Sequence, residues 1–240
     1  MLLNIFRTIF DWSEVWALFI PLIILLVYKP KRGWVTPVKW YLITVLFLNI
    51  CIDFIWYVNK HEWFGVSNAK KNEWNNNIFY NLNSIARLLF FSWFFSIQGL
   101  GLKKIARIIP VVFVCAVIIF YIIKKDGFNY FDPAYASIFY ISSYLLATEA
   151  GLLLFYCLWY TNKILREDKP AFSSSNPPFW VVGGLTIYTS VNFFIFLFYD
   201  YLNTILYEDF LVDIWDVHNS LFIILCICIA IGLYHERNKR

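Results

Sequence analysis

Seven stretches of the chain are apolar for long enough to cross a bilayer as helices, and polar clusters separate them. They run over residues 12–28, 40–58, 78–98, 105–123, 135–160, 179–199 and 211–234. A helix rises ~1.5 Å per residue, so segments of this length match a hydrocarbon core of ~30 Å. Pro110 falls in the first turns of the fourth stretch, where a proline is tolerated or gives a modest kink. The pattern predicts an all-α membrane protein, residues 1–240 forming a single seven-transmembrane-helix bundle.

The third stretch is the least uniform. Arg87 sits near the middle of Ile78–Ile97, and a guanidinium cannot shed its proton to escape the membrane. At helical spacing Tyr80, Asn83, Ser84, Arg87, Phe91 and Gln98 share one face, with Asn83 one turn from Arg87. That face must meet polar partners on other helices, and the remaining spans are expected to form a wall around it.

Composition agrees with the membrane reading. The chain is 60% hydrophobic and 15% charged, against about 45–50% and about 25% in soluble domains. Aromatic residues reach 22%, and Trp34, Trp40, Trp63, Trp74, Trp159, Trp180 and Trp215 stand near span boundaries, as interfacial anchors do. All five cysteines lie in apolar runs and read as small buried hydrophobes, so no disulfide framework is expected. Arg7, Asp11 and Glu14 interrupt the first apolar region, which does not read as a signal peptide.

Charge sets the orientation. Lys29, Lys31, Arg32, Lys39, Lys103, Lys104, Arg107, Lys163, Arg166, Lys169, Arg237, Lys239 and Arg240 fall on one face of the predicted layout. Arg7, Lys60, Lys70, Lys71, Lys124 and Lys125 fall on the other. The excess of basic residues marks the cytoplasmic side, which puts the N-terminus outside and the C-terminus in the cytoplasm of a cell with the protein in its inner membrane. With its net charge of +4 sorted by loop in this way, the lipid bilayer is the expected partner and nucleic acid is not. Two connections are long: Asn59–Asn77 on the outside, and Thr161–Pro178 on the inside, either a solvated connection or a contact surface for a cytoplasmic partner.

Orientation converts residue numbers into depths. Asp53 lies in the outer half of the second span with Asn49 one turn below, and the side chain of Arg87 leans outward toward that level. Glu149 leans outward from mid-depth in the fifth span; Tyr188 and Asn192 lie one turn apart in the sixth. Asp213, Trp215, Asp216, His218 and Asn219 occupy the outer half of the seventh. A buried charge network of Asp53, Arg87 and Glu149 is expected, with Arg87 bonded to Asp53 or Glu149 and Asn83 completing its donors. Glu149, among Leu, Ala and Gly, should pair with Arg87 or carry a proton. Each residue also has a purely structural reading, as an ion pair or interhelical hydrogen-bond glue worth about 0.6 kcal/mol per bond. Their convergence is better explained by one outward-facing pocket between the third, sixth and seventh spans, lined by Tyr80, Asn83, Arg87, Tyr188, Asn192, Trp215, His218 and Asn219. With Arg87 neutralised, that pocket suits a neutral, partly apolar ligand.

Several chemistries are excluded. The last span has no lysine for a retinal Schiff base, and no Pro-Gln pair of the small sugar and amino-acid carriers occurs. His61 and His235 lie outside the membrane, leaving His218 alone and no histidine-based zinc centre. No Ser-His-Asp spacing, Gly-rich phosphate loop or paired-cysteine metal motif is present, so neither an enzyme nor a cofactor is expected.

The last two spans carry a resemblance. The Pro178–Trp180 opening, Gly184, Tyr188 and Asn192 of the sixth, and Trp215 with His218–Asn219 of the seventh, are similar to a bacterial family of seven-helix membrane proteins common in Bacteroidota. Some members stand alone, and others resemble the membrane module in front of histidine kinases; Glu149 also suits the family pattern. The resemblance implies a receptor-like sensor that binds a small ligand and signals to a histidine kinase or another partner. The alternative is a small-molecule carrier or proton-coupled transporter titrating Glu149 and Asp53, which needs a polar path from Glu149 to the cytoplasmic face. The inner halves of the spans offer little for such a path beyond Ser92, Ser96 and Gln98.

Overall fold

The structure, a computed structural model, describes residues 10, 12–60, 77–98, 101, 103–125, 137–166, 176–205 and 208–237. Among these, seven helices and no strand are present: α1 Ser13–Tyr28, α2 Val35–Lys60, α3 Asn77–Ile97, α4 Ile105–Lys125, α5 Ser137–Arg166, α6 Pro177–Ile205 and α7 Glu208–Arg237. Each predicted stretch is a helix, and most extend past their apolar limits. Thr161–Arg166, expected in a connection, continues α5. Positions 61–76 and 167–175, with Trp63 and Trp74, lie outside the described residues.

Windows within α2, α5, α6 and α7 are long and apolar enough to cross a membrane. That makes this a membrane protein by the physics of its helices, whose backbone groups are satisfied internally. α1 is apolar but shorter, with 16 residues. α3 has the length but too many polar residues, because its buried face holds Asn81, Asn83, Ser84, Arg87 and Ser92. Such a helix needs neighbours that supply partners for that face.

Helix contacts arrange the neighbours in a ring. α1 touches α2, α2 touches α3, α3 touches α5, α5 touches α6, α6 touches α7, and α7 returns to α1. α4 stands outside, packed mainly on α3, and Ile108, Val111, Val112, Ile118 and Ile119 on its outer side are exposed. Cys115 is exposed there too, unlike Cys157 and Cys226 in the core; all five cysteines are free thiols.

One end of the ring is tied by charge. The turn between α1 and α2 begins at Lys29, in the left-handed region at φ 46°, and brings Arg32 Nε to 2.8 Å from Glu236 Oε1 near the end of α7. Trp34 donates its indole N–H to the other oxygen of Glu236 at 2.9 Å. Trp34 is 4% exposed, so it is an interior clamp and not the interfacial anchor its position predicts. The exposed side chains of Lys29, Lys31, Lys39, Lys103, Lys104, Arg107 and Arg166 gather at this same end.

Next to the basic end, the ring is filled with rings and branched chains. Tyr41, Leu88, Phe91, Phe94, Phe95, Leu153, Tyr156, Leu185 and Leu225 are fully buried there. Phe94 and Phe95 stand edge-to-face at 5.2 Å, and Phe95 tilts onto Tyr156 at 5.3 Å. α6 and α7 approach closely at Gly184, where an added Cβ would come 2.5 Å from Cβ of Cys228. Small residues permit such contact between membrane helices, where dispersion is the main attraction.

Candidate functional site

Away from the basic end, the core changes character. The side chain of Arg87 is 7% exposed and that of Glu149 is 3% exposed, with Arg87 Nε 3.4 Å from Glu149 Oε1. The partner of Arg87 is therefore the carboxylate on α5; Asp53 is half-buried with interactions of its own. Ser84, one turn before Arg87, donates to the other oxygen of Glu149 at 3.4 Å. On its far side Arg87 donates through Nη1 to the hydroxyl of Tyr188 on α6, and its guanidinium carbon lies 4.9 Å from the centre of that ring. A planar cation with several donors suits this double contact.

Asn83 does not complete the donors of Arg87. It donates to Oδ1 of Asn49 on α2 at 2.8 Å, and Asn49 donates to the backbone carbonyl of Glu14 on α1 at 2.8 Å. Arg87 lies four residues after Asn83, yet the two point toward different neighbours: Asn83 toward α2, and Arg87 toward α5 and α6. Helical spacing fixes the face of a residue and leaves its partner open.

Glu14 is the residue the sequence reading missed. It lies in the first turn of α1, where a carboxylate reads as a boundary residue. Its Oε1 is 3.2 Å from Nε2 of His218 on α7. The other ring nitrogen of His218 is 2.6 Å from Oδ1 of Asn192 on α6, and Asn192 donates to the backbone carbonyl of Tyr188 at 2.8 Å. The contacts thus form a circuit. It runs from Arg87 to Tyr188, Asn192, His218, Glu14, Asn49 and Asn83, back to α3, with Glu149 as a branch. Every helix of the ring contributes.

The circuit surrounds a small cavity. Glu14, Asn49, Tyr80, Asn83, Arg87, Leu146, Tyr188, Phe196, Trp215, His218 and Phe222 line it. The space for water centres is ≈ 10 Å³, about what one ordered water needs. Of the residues expected at a pocket, Tyr80, Asn83, Arg87, Tyr188, Trp215 and His218 reach this cavity. Asn192 stands behind His218 and holds it, and Asn219 is buried away from the cavity wall. The side chain of Asp213 lies outside the described residues. The cavity draws on all the helices of the ring, where the sequence pointed to the third, sixth and seventh spans alone.

Aromatic rings enclose His218. Trp215, Phe196 and Tyr188 have ring centres 5.2, 5.5 and 5.6 Å from it. Trp215 also meets Tyr80 at 5.8 Å, so its ring serves the cavity wall and not the bundle rim. Among the described residues no group of His, Cys, Asp and Glu is disposed to hold a metal ion. A search of protein-family models finds no match for this chain, and neither do comparisons with curated proteins and with solved structures.

Proposed function

We propose that this protein is a receptor-like membrane sensor, with seven transmembrane helices, its N-terminus outside and its C-terminus in the cytoplasm of a bacterial cell. The observation that carries the reading is the circuit of side chains around the cavity. A stimulus acting there touches α1, α2, α3, α5, α6 and α7 at once, through Glu14, Asn49, Asn83, Arg87, Glu149, Tyr188, Asn192 and His218. Interlocked contacts of this kind have few alternative arrangements, which is how a local change becomes a shift of whole helices.

The gathering of exposed Lys and Arg at the opposite end supports this orientation by the positive-inside rule, and with it an outward-facing cavity. The layer of Tyr41, Phe91, Phe94, Phe95 and Tyr156 below it is fully buried and mostly aromatic, which disfavours the carrier reading, since a carrier needs a polar path to the cytoplasmic side. In this reading a small neutral ligand enters the cavity by parting the rings of Tyr80 and Trp215. The output is read at the basic end by a signalling partner; the resemblance of the last two helices suggests a histidine kinase.

A thermal-shift screen of small neutral metabolites against the purified protein and its His218→Leu variant tests this. The sensor reading expects compounds that stabilise the wild type and lose their effect in the variant. Proton-coupled solute uptake into proteoliposomes, without any such compound, would replace it with the carrier.

A further inference from the structure

We infer that Glu14 and His218 form a proton-binding site that holds one proton between them in the closed bundle. Hydrogen-bond direction fixes the number of protons at this contact. The backbone carbonyl of Tyr188 can only accept, so the group of Asn192 that lies 2.8 Å from it is the amide nitrogen. Asn192 therefore presents its oxygen to His218, at 2.6 Å from Nδ1. An amide oxygen cannot donate, so Nδ1 of His218 carries a hydrogen.

A neutral imidazole has only one such hydrogen, which leaves Nε2 with a bare lone pair. Nε2 faces a carboxylate oxygen of Glu14 at 3.2 Å. Two lone pairs do not attract, so the contact needs a proton. It sits on Nε2, giving imidazolium and carboxylate, or on Glu14, giving a carboxylic acid that donates to a neutral ring. The two arrangements contain the same number of protons. Without Asn192 the ring could place its single hydrogen on Nε2 and meet an ionised Glu14 with no added proton; the amide blocks that escape.

Arg87 and Glu149 cancel each other, so the circuit is neutral with the added proton and carries one excess negative charge without it. Tyr188, Phe196 and Trp215 stand tilted or edge-to-face around the imidazole and shield it from solvent. This site stands whether the bundle signals or transports.

The test uses the full chain, labelled with ¹⁵N-histidine, in lipid nanodiscs at neutral pH. His218 is assigned by the signals lost in His218→Gln. The wild type is expected to show either an imidazolium pattern at His218, or a neutral ring protonated at Nδ1 together with an infrared carboxylic-acid band. In Glu14→Gln the amide nitrogen can donate to a bare Nε2, so the imidazolium pattern or the acid band should be lost, leaving a neutral ring protonated at Nδ1. A neutral ring protonated at Nε2 in the wild type, with no acid band, would overturn the inference. So would a Glu14→Gln protein whose histidine and infrared signals match the wild type.

Discussion

Arg87 and Glu149 meet across the contact of α3 and α5, Nε to Oε1 at 3.4 Å, both buried. Neither can be removed alone without leaving the other charge in a low-dielectric interior. Breaking a buried pair from one side costs about 3–5 kcal/mol, whereas removing both members is often close to neutral. Arg87→Met should therefore destabilise by that amount, and Arg87→Met with Glu149→Gln by less than half of it. Unfolding of both proteins in detergent measures the difference. A double variant that loses as much as Arg87→Met, or more, would count against the pairing.

The clamp at the basic end makes a second prediction. Glu236 is 5% exposed and accepts from both Arg32 and Trp34. Glu236→Gln keeps an acceptor for the indole N–H, while Glu236→Leu leaves that buried donor unsatisfied, at about 1–3 kcal/mol. The Leu variant should melt clearly below the Gln variant. Trp34 fluorescence should shift in the Leu variant alone, since only there is the indole freed.

A third prediction concerns the contact of α6 with α7. Gly184→Ala places a methyl 2.5 Å from Cβ of Cys228, a distance no pair of carbons tolerates. The helices must part, at a cost of about 1–3 kcal/mol. Cys228→Gly removes the opposing carbon and should restore part of the loss. Restoration stays incomplete because glycine within a helix is itself about 1 kcal/mol less favourable than alanine. Full additivity of the two losses in thermal unfolding would show that the contact is not the cause.

The helices were legible because apolar length is a one-dimensional signal, and the membrane criterion needs nothing more. Arg87 and its need for a carboxylate were legible for a related reason: a buried guanidinium requires a counter-charge, and depth left two candidates. The choice between Asp53 and Glu149 was not, since it depends on α3 lying against α5. The same limit explains Asn83, whose partner is Asn49, and the place of α4 outside the ring. Glu14 was hidden by its position in the first turn of α1, where an acidic side chain is ordinary. Trp34 and Glu236 are 202 residues apart, and nothing in either segment points to the other.

A sensor of this design couples the circuit around the cavity to the basic end. Pulsed electron–electron spin resonance on the protein in nanodiscs tests that coupling most directly. The background has its five native cysteines replaced, with spin labels at Lys39→Cys on α2 and Arg166→Cys on α5, both exposed. Opening the circuit with Glu14→Ala, or with His218→Leu, is expected to shift or broaden the distance between the labels by about 1–2 Å, the scale of helix shifts in signalling proteins. An unchanged distance distribution in both variants, with the proteins folded, would contradict the account.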